Sequence, residues 1–335
     1  MQSAIDTLKG KHTYDQNDVP NLSGRTALVT GGTQGIGFEV AKTLAVSKAR
    51  VLLLSRKVEN GTAAVEAIQK ETSGGADIEF VEIDLGNLKN VCEVADRISA
   101  KEARLDILVA DAGIGVNKYE LSSDGIEHHF SVNNLGHILL INRLLPLIRK
   151  SAQLNESPAP RIVQLSSSLH KTAPSSVAFE SLEEINDSSL GPNTLYARSK
   201  LANILFTRWL VAHVLEDGSR IYALATHPGA VHTEQQNQLK DAYGETVGGA
   251  MKAVAVPFMR SPDQGSLSTL WAATDPEVEQ KGLHGAYVTD PGTVGGETKQ
   301  AQNDMLADNL WTLAQGLIKE KAGEDAFLDW TEVKA

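Results

Sequence analysis

The chain has 335 residues, and its 41 % hydrophobic and 22 % charged residues are typical of a globular protein with a sizeable core. A formal net charge of −11 disfavours nonspecific binding to nucleic acid or anionic lipid. The single cysteine, Cys92, excludes an intramolecular disulfide and a cysteine metal cluster. We predict a soluble cytoplasmic protein without a membrane anchor, because no stretch resembles a signal peptide or reaches the roughly 18 apolar residues of a membrane helix.

Strand-like and helix-like segments alternate after a polar lead-in, which indicates a parallel sheet with helical crossovers. The predicted strands are Thr26–Thr30, Arg50–Leu54, Ile78–Ile83, Leu105–Ala110, Arg161–Leu165, Ile221–Thr226 and Gly285–Thr289. The predicted helices are Ile36–Ser47, Thr62–Glu71, Leu88–Ala103, Gly125–Lys150, Leu195–Glu216, Asp263–Ala273 and Met305–Lys319.

This order predicts a single doubly wound α/β domain, with a seven-stranded, mainly parallel sheet and helices on both faces. No repeat or low-complexity tract interrupts the alternation. We place the domain at residues 21–295, between a polar N-terminal extension at 1–20 and a helical C-terminal extension at 296–335.

A glycine-rich turn, TGGTQGIG, joins the first predicted strand to the first helix. Gly31, Gly35 and Gly37 permit a tight turn and a close approach of the backbone to a pyrophosphate, which then sits on amide groups at the helix N-terminus. A plain tight turn is the simpler interpretation, but the position between strand and helix is the one that dinucleotide binding requires. The intervening residues of the predicted binding turn are Thr33, Gln34 and Ile36.

The spacing G-x-x-x-G-x-G after a threonine resembles the short-chain dehydrogenase/reductase family, whose signature is T-G-x-x-x-G-I-G. The resemblance runs from about Gly24 to Val294 and implies a Rossmann fold, a nicotinamide cofactor and oxidoreductase activity. The segment LANILFTR at 201–208 looks like the retinol-dehydrogenase and WW-domain oxidoreductase branch, and SPDQG at 261–265 and GAY at 285–287 agree with it.

The end of the second strand indicates which dinucleotide would bind. An acidic residue there usually holds the ribose of NAD, whereas an arginine accepts the additional phosphate of NADP. Here the strand ends in Arg56 and Lys57, so we predict NADP(H), although a solvated basic pair on a surface turn would look the same. The family comparison further implies that Asp84 and Leu85, after the third strand, border the adenine.

Tyr196 and Lys200 match the family motif Y-x-x-x-K. Residues four apart share one helix face, so both side chains can reach the same pocket. We expect the Lys200 ammonium to lower the pKa of Tyr196 and to hold the nicotinamide ribose. A lone Y-x-x-x-K often marks only an exposed helix face, but its place after the fifth strand favours the functional interpretation.

The resemblance adds two further catalytic residues. Ser167, within three adjacent serines after the fifth strand, would orient the substrate oxygen toward Tyr196, with the exact serine open by one position. Asn133, in VNNLGH, looks like the family asparagine that kinks a helix, and it would hold a water connecting Lys200 to solvent. A local helix defect is the alternative interpretation of Asn133.

Two more segments fit the family and complete the predicted cofactor site. Asp111, Ala112 and Gly113 resemble the family's N-A-G, with an aspartate where the asparagine is usual, and a carboxylate cannot donate the hydrogen bonds of an amide. The segment HPGAVHT fits P-G-x-x-x-T, which borders the nicotinamide carboxamide. Its predicted cofactor-binding residues are Pro228, Gly229, Val231 and Thr233.

These motifs imply an NADP(H)-dependent carbonyl reductase in which Tyr196 gives a proton to the substrate oxygen while NADPH delivers hydride to carbon. The alternative is a non-catalytic NADP-binding regulatory or scaffold protein of the same fold, which would be expected to lose the tyrosine or lysine. A sugar-nucleotide epimerase would favour G-x-x-G-x-x-G at the turn. A serine hydrolase would need the motif G-x-S-x-G, which the sequence lacks. His128 and His129 are adjacent in a predicted helix, so their side chains face apart and do not form a metal site.

The sequence says less about substrate and partners. The irregular section at 227–260 corresponds to the family's substrate lid. Its apolar residues could line a pocket for a hydrophobic or aromatic carbonyl compound, or they could serve as ordinary lid core. These residues are Val254, Val256, Phe258 and Met259. Family members often form homodimers or tetramers, but the insert at 170–193 and the C-terminal tail could block that. The expected partner is therefore a small carbonyl or alcohol compound, with the oligomeric state open.

Overall fold

A computed structural model describes residues 14–215, 218–232, 238–244 and 259–330 of the chain. Its centre is a sheet with the strand order β3-β2-β1-β4-β5-β6-β7-β8. The strands are β1 Thr26–Thr30, β2 Arg50–Ser55, β3 Ile78–Glu82, β4 Ile107–Ala110, β5 Arg161–Leu165, β6 Tyr222–Thr226, β7 Tyr287–Asp290 and β8 Thr293–Val294.

Helices connect most of the successive strands, and one helix follows the last strand. They are α1 Gly35–Val46, α2 Val58–Glu71, α3 Leu88–Lys101, α4 His128–Phe130, α5 Gly136–Gln153, α6 Leu182–Ile185, α7 Pro192–Leu210, α8 Gln238–Tyr243, α9 Pro262–Thr274, α10 Glu277–Gln280 and α11 Asp304–Ala322. Pro192 and Pro262 stand at the first turn of α7 and α9, where a missing backbone N–H costs nothing.

Alternate residues of the inner strands point to opposite faces of the sheet, and each face carries its own core. Leu52 and Leu54 pack on the side covered by α3, α5, α7 and α11. Val51 and Leu53 pack on the other side, under α1, α2 and α9. All four side chains are buried, which explains why β2 is a continuous apolar run and not an alternating one.

The parallel register determines where the functional motifs meet. Thr30 at the end of β1 pairs with Leu54 of β2 and with Ala110 of β4, and Ala110 pairs with Gln164 of β5. The turns that follow these strands therefore lie side by side at the carboxyl edge of the sheet, where ligands bind in doubly wound folds.

The structure confirms the predicted α/β fold with a mainly parallel sheet, but the predicted count of seven strands is wrong. An eighth strand, β8, pairs antiparallel with β7 across a short turn. Two residues are too few to show a sequence periodicity, so the pattern could not reveal it. The single-domain description and the boundaries at residues 20, 227–260 and 295 stay predictions.

Two predicted helices are interrupted. The segment predicted as one helix from Gly125 consists of α4, a π-helical turn at Ser131–Leu135 and α5. The helix carrying Y-x-x-x-K likewise ends in a π-helical turn at Val211–Leu215. Most of the predicted lid, including Val254, Val256 and Phe258, lies outside the described residues.

The C-terminal helix α11 packs against α7 and α3. The Trp311 ring stacks on Trp209 of α7 at a centroid distance of 4.0 Å, and Asn142 of α5 exchanges hydrogen bonds with the backbone of Leu328 at 2.8 and 2.9 Å. Within the described residues, the structure contains no helix with the length and apolar character needed to cross a bilayer.

Candidate active site

A cleft of about 470 Å³ opens at the carboxyl edge of the sheet. It brings together most residues predicted to bind the cofactor. Those that line it are Gly31, Thr33, Gln34, Gly35, Ile36, Arg56, Lys57, Leu85, Asp111, Ala112, Gly113, Tyr196, Lys200 and Pro228. Segments separated by more than a hundred positions in sequence thus form one concave surface.

The glycine-rich turn forms one wall and has the geometry predicted for it. Gly31 and Gly35 have φ values of +69° and +56°, a region that favours glycine. A methyl group on Gly37 would lie 2.5 Å from the Gly31 carbonyl oxygen, so only glycine fits against the backbone there. Gln34, at the N-cap of α1, makes no side-chain capping bond, which leaves this helix end suited to an anion.

Two cations lie at the end of β2 beside this wall. Arg56 and Lys57 are exposed and line the cleft together with Asn60, one turn further along the chain. Neither cation makes a salt bridge with any residue that the structure describes. Thr33 connects the two turns, since its hydroxyl donates to Ser55 Oγ at 3.2 Å. The arrangement offers an anion two positive charges next to a helix N-terminus.

Several predicted cofactor residues lie elsewhere. Asp84 does not line the cleft, because its carboxylate accepts a hydrogen bond from the Gly86 amide at 2.9 Å; Ile83 and Leu85 form the wall instead. Gly229, with φ +84°, packs against Arg260, and the buried Val231 packs against α9. Thr233 lies outside the described residues.

Tyr196 and Lys200 point into the cleft from α7. The Lys200 ammonium lies 5.6 Å from the centroid of the Tyr196 ring and donates to the Leu165 carbonyl at 2.9 Å. The side chain of Ser167 lies near the phenol and acts to lower the pKa of Tyr196. Tyr196 and Lys200 therefore bring a phenol and an ammonium to one end of the cleft, whereas the serine in its lining is Ser166 and not Ser167.

The expected effect of Lys200 on Tyr196 does not appear. Desolvation raises the pKa of Tyr196 to about 12, with a smaller contribution from the charge of Asp111, and these outweigh the lowering by Ser167. Desolvation also lowers the pKa of Lys200 to about 8, against the attraction of Asp111. Burial acts on both groups and favours the neutral form of each. In this state the phenol is a proton donor and not a base.

The three adjacent serines differ in their surroundings. The Ser166 hydroxyl donates to the Lys200 carbonyl at 2.7 Å and so ties β5 to α7. Ser167 faces Tyr196 and also accepts from the Leu169 amide at 3.2 Å. Ser168 is exposed. Of the three, Ser167 is the one that affects the pKa of the phenol, and its catalytic role stays a prediction.

Asn133 lies in the π-helical turn, so the helix is irregular at the place where the resemblance implies a kink. Its Oδ1 accepts from the Ile114 amide at 2.8 Å, and its Nδ2 donates to the Ile114 carbonyl at 3.1 Å and to Ser199 Oγ at 3.0 Å. These bonds fix the loop after β4 against α7, next to Lys200. They agree with a structural role, and the water-holding role stays a prediction.

Sequence reasoning missed several residues of the cleft. Asn60, Ile83, Ile114, Val132 and Gln238 line it, and Gln238 also accepts from the Gly115 amide at 2.8 Å. Ile83 and Asn60 could have been found, since they flank motif positions on β3 and α2. Gln238 carries no sequence signal, because only the folded chain brings it to the loop after β4.

Comparison with known proteins agrees with this geometry. The family model for short chain dehydrogenases matches residues 25–179. The Neurospora crassa protein bli-4, whose name describes a mitochondrial oxidoreductase, is 36 % identical over 93 % of this chain and 76 % of its own. Mouse retinol dehydrogenase 11 is 34 % identical over 89 % and 87 %, and the chicken WW domain-containing oxidoreductase is 33 % identical over 90 % and 70 %.

A solved structure shows the same fold with a ligand. An Escherichia coli CFT073 protein complexed with NADPH is 26 % identical, with a TM-score of 0.59 over 82 % of this chain and 99 % of its own. The predicted resemblance to the retinol-dehydrogenase and WW-domain oxidoreductase branch is confirmed by the relatives. The chain belongs to the short-chain dehydrogenase/reductase family of oxidoreductases.

Proposed function

We propose that this protein is an NADP(H)-dependent oxidoreductase that interconverts an aldehyde or ketone and the corresponding alcohol. The observation that carries the proposal is the convergence, in one cleft, of the glycine-rich turn, two cations at the end of β2, and Tyr196 with Lys200. Each feature alone is common, but together in one cleft they provide a binding place for a dinucleotide phosphate and a proton donor beside it.

The choice of NADP over NAD rests on Arg56 and Lys57. A phosphate on the adenosine ribose would find two cations without a described carboxylate partner, and a planar guanidinium can bind it through paired hydrogen bonds. The turn at Gly31–Gly37 would hold the pyrophosphate, and Lys200 would hold the nicotinamide ribose. The NADPH complex of the E. coli relative supports this choice.

The chain's own residues account for the proton in carbonyl reduction. The reduced nicotinamide, when bound, would supply the hydride. Tyr196 would donate its phenolic proton to the substrate oxygen, which its raised pKa permits at neutral pH. Ser167 would orient that oxygen by a second hydrogen bond, and Lys200 would stabilise the phenolate that remains. Alcohol oxidation would run the same steps in reverse.

The substrate proposal is a hydrophobic or aromatic carbonyl compound, based on the apolar residues of the predicted lid. A cytoplasmic location stays a prediction.

The test is to mix the protein with NADPH and a panel of aldehydes and ketones and to follow the absorbance of the reduced nicotinamide. The variant Tyr196→Phe tests the proton donor. It should retain NADPH binding, while its turnover should fall at least about a hundredfold relative to the wild type. Dinucleotide binding without turnover on a broad panel, in either direction, would instead identify a binding module. Near-normal turnover in the variant would contradict the role of Tyr196.

A further inference from the structure

A buried acid–base pair lies behind the wall of the cleft that follows β4. Glu127 and His129 are both fully buried. His129 Nδ1 lies 2.6 Å from Glu127 Oε1, and its Nε2 lies 2.8 Å from the Gly115 carbonyl oxygen. Gly115 directly follows Gly113 and Ile114, which line the cleft. The imidazole ring therefore connects a buried carboxyl group to the segment that forms the wall.

Both ring nitrogens of His129 face oxygen atoms, and this limits the protonation of the pair. The Gly115 carbonyl oxygen can only accept a hydrogen bond, so Nε2 must carry a hydrogen. A hydrogen is also needed between Nδ1 and Glu127 Oε1, because two lone pairs 2.6 Å apart would repel each other. This second hydrogen belongs either to the ring, which is then an imidazolium beside a carboxylate, or to a protonated carboxyl group.

The surroundings of Glu127 favour the carboxylate. Its Oε1 accepts a hydrogen bond from the His129 amide at 2.9 Å, and its Oε2 accepts one from the Phe130 amide at 3.0 Å. The Arg198 guanidinium lies 3.6 Å from Oε2. Burial acts to raise the pKa of Glu127, but the hydrogen bonds outweigh it and the net shift is downward. Because these donors stabilise the ionised form, we assign the second hydrogen to the His129 ring.

Charged groups from the neighbouring elements agree with this assignment. Arg198 comes from the helix that carries Y-x-x-x-K, and it donates to the carbonyl oxygens of Glu184 and Ile185 in α6 at 2.7 and 2.6 Å. The Glu184 carboxylate accepts from three backbone amides of the insert at 170–193. His128 is directed toward Glu120, at 3.9 Å. The Glu127 carboxylate thus has the imidazolium at one oxygen and Arg198 beside the other.

The Gly115 peptide groups are held from both sides. The amide donates to Gln238 Oε1 at 2.8 Å, and Gln238 itself lines the cleft at the start of α8. The carbonyl group is held by His129. The wall is close to the proposed catalytic lysine, since a methyl group on Gly113 would lie 3.7 Å from Lys200 Nζ. Loss of the bond to His129 would therefore loosen the wall next to Lys200.

We propose that His129 is a positioning residue that carries hydrogen on both ring nitrogens at pH 7 and so fixes the Gly115 carbonyl and the adjacent wall of the cleft. A histidine with the usual pKa of about 6.5 is mainly neutral at this pH, so the proposed state is distinctive. The effect on cofactor binding rests on the proposed function. The state of the ring and the order of the loop do not, and both can be measured on the protein alone.

The first experiment records ring ¹⁵N–¹H NMR spectra at pH 7 on full-length protein labelled with ¹⁵N-histidine. His129→Phe identifies the His129 signals by their loss, and His129→Gln serves the same purpose if the first variant does not fold. Both ring nitrogens of His129 should show an attached hydrogen. A wild-type ring that carries one hydrogen would overturn the proposal.

Glu127→Gln separates the charge of the pair from its geometry. The amide group of glutamine can donate to Nδ1, so a neutral ring can keep both of its contacts. In this variant only Nε2 should retain its hydrogen, because the carboxylate that stabilised the imidazolium is gone. A ring that still carries two hydrogens in Glu127→Gln would contradict the assigned role of the carboxylate.

The second experiment measures hydrogen exchange at the Gly115 amide and the affinity for NADPH. In His129→Phe the Gly115 amide should exchange at least about tenfold faster, while the amides of β1 and β4 keep their protection, because only the loop loses an anchor. NADPH affinity should fall at least about fivefold, as is typical of coupling between a positioning group and a binding site. Unchanged exchange at Gly115 would overturn the proposal.

His213→Phe is the matched control. The His213 side chain is 50 % exposed and lies outside the cleft, and a phenylalanine ring can keep its stacking on Trp209. This variant should match the wild type in Gly115 exchange and in NADPH affinity.

Dinucleotide binding distinguishes failure of this inference from failure of the proposed function. A doubly protonated His129 ring, with faster Gly115 exchange in His129→Phe, would leave the inference intact even in a protein that binds no dinucleotide, and the enzyme proposal alone would be contradicted. NADPH-dependent turnover by a protein whose His129 ring carries one hydrogen would do the reverse.

Discussion

At the scale of single residues, the site depends on which neighbours each polar side chain meets. Ser166 and Ser167 are adjacent and chemically identical, yet one ties the Lys200 carbonyl to β5 and the other faces Tyr196. The pKa of Tyr196 shows the same dependence, because burial raises it more than Ser167 lowers it. The residue type limits the hydrogen bonds and charges that a side chain can provide, and its neighbours in the fold determine which of these it forms.

Arg56→Asp should reverse the cofactor preference. The change removes a guanidinium that would bind the ribose phosphate and places a carboxylate there, which suits ribose hydroxyls. A lost hydrogen bond to a charged group is worth about 1.5–3 kcal/mol, so NADPH affinity should fall roughly tenfold to a hundredfold relative to NADH. Titration of both dinucleotides by fluorescence measures this.

Arg97→Asp is the matched control, because Arg97 is exposed on α3 and outside the cleft. It carries the same change of charge and should leave the ratio of the two affinities unaltered. An unchanged ratio in Arg56→Asp would mean that the phosphate is held elsewhere.

At the scale of elements, the site depends on how closely helices and turns approach each other. The start of α1 reaches the turn after β1 only because Gly37 lacks a side chain. Gly136, at the start of α5, similarly lies against the Leu85 backbone, where a methyl group would come within 2.4 Å of its carbonyl oxygen. In the π-helical turn before it, Asn133 accepts a hydrogen bond from the Ile114 amide at 2.8 Å.

Gly37→Ala should abolish dinucleotide binding while the protein still folds. The added methyl group would displace the Gly31 carbonyl and the Asp111 carboxylate, and the turn could no longer present its amide groups. Circular dichroism and NADPH titration together measure fold and binding. Gly316→Ala in α11 is the control: no atom lies within 4 Å of its added methyl group, so binding should be retained. NADPH affinity within threefold of wild type in Gly37→Ala would contradict this account of the turn.

At the scale of the whole molecule, ionic contacts tie the outer elements to the sheet. Arg161 of β5 is buried and pairs with Glu279 of α10 at 3.0 Å, and Arg220 pairs with the second carboxylate oxygen at 2.8 Å. Desolvation acts to raise the pKa of Glu279, but hydrogen bonds from Ala159 and Arg161 outweigh it, and the net shift is downward. The ionised form therefore stabilises the fold.

Glu279→Gln should lower the free energy of unfolding by about 3 kcal/mol at pH 7, because Arg161 is left buried without its counter-charge. A carboxyl with a lowered folded pKa contributes stability above its ordinary pKa of about 4.3 and loses it as the pH falls through the folded value. The difference between variant and wild type should thus be constant from pH 6 to 8 and shrink below about pH 4. Urea unfolding at several pH values measures it.

The exposed Glu324 provides the control variant, Glu324→Gln, which should match the wild type at every pH. A pH-independent loss of stability in Glu279→Gln would show that packing, and not the ion pair, is responsible.

The sequence alone determined the α/β alternation, the glycine-rich turn, the basic end of β2 and the Y-x-x-x-K pair, because these depend on local periodicity and on spacings of a few residues. Only the tertiary structure decided that Ser167 lies near Tyr196, that Gln238 lines the cleft and Asp84 does not, and that β8 extends the sheet beyond β7. The reason is physical: desolvation and hydrogen bonding depend on distances between segments far apart in the chain, and no local pattern encodes those distances.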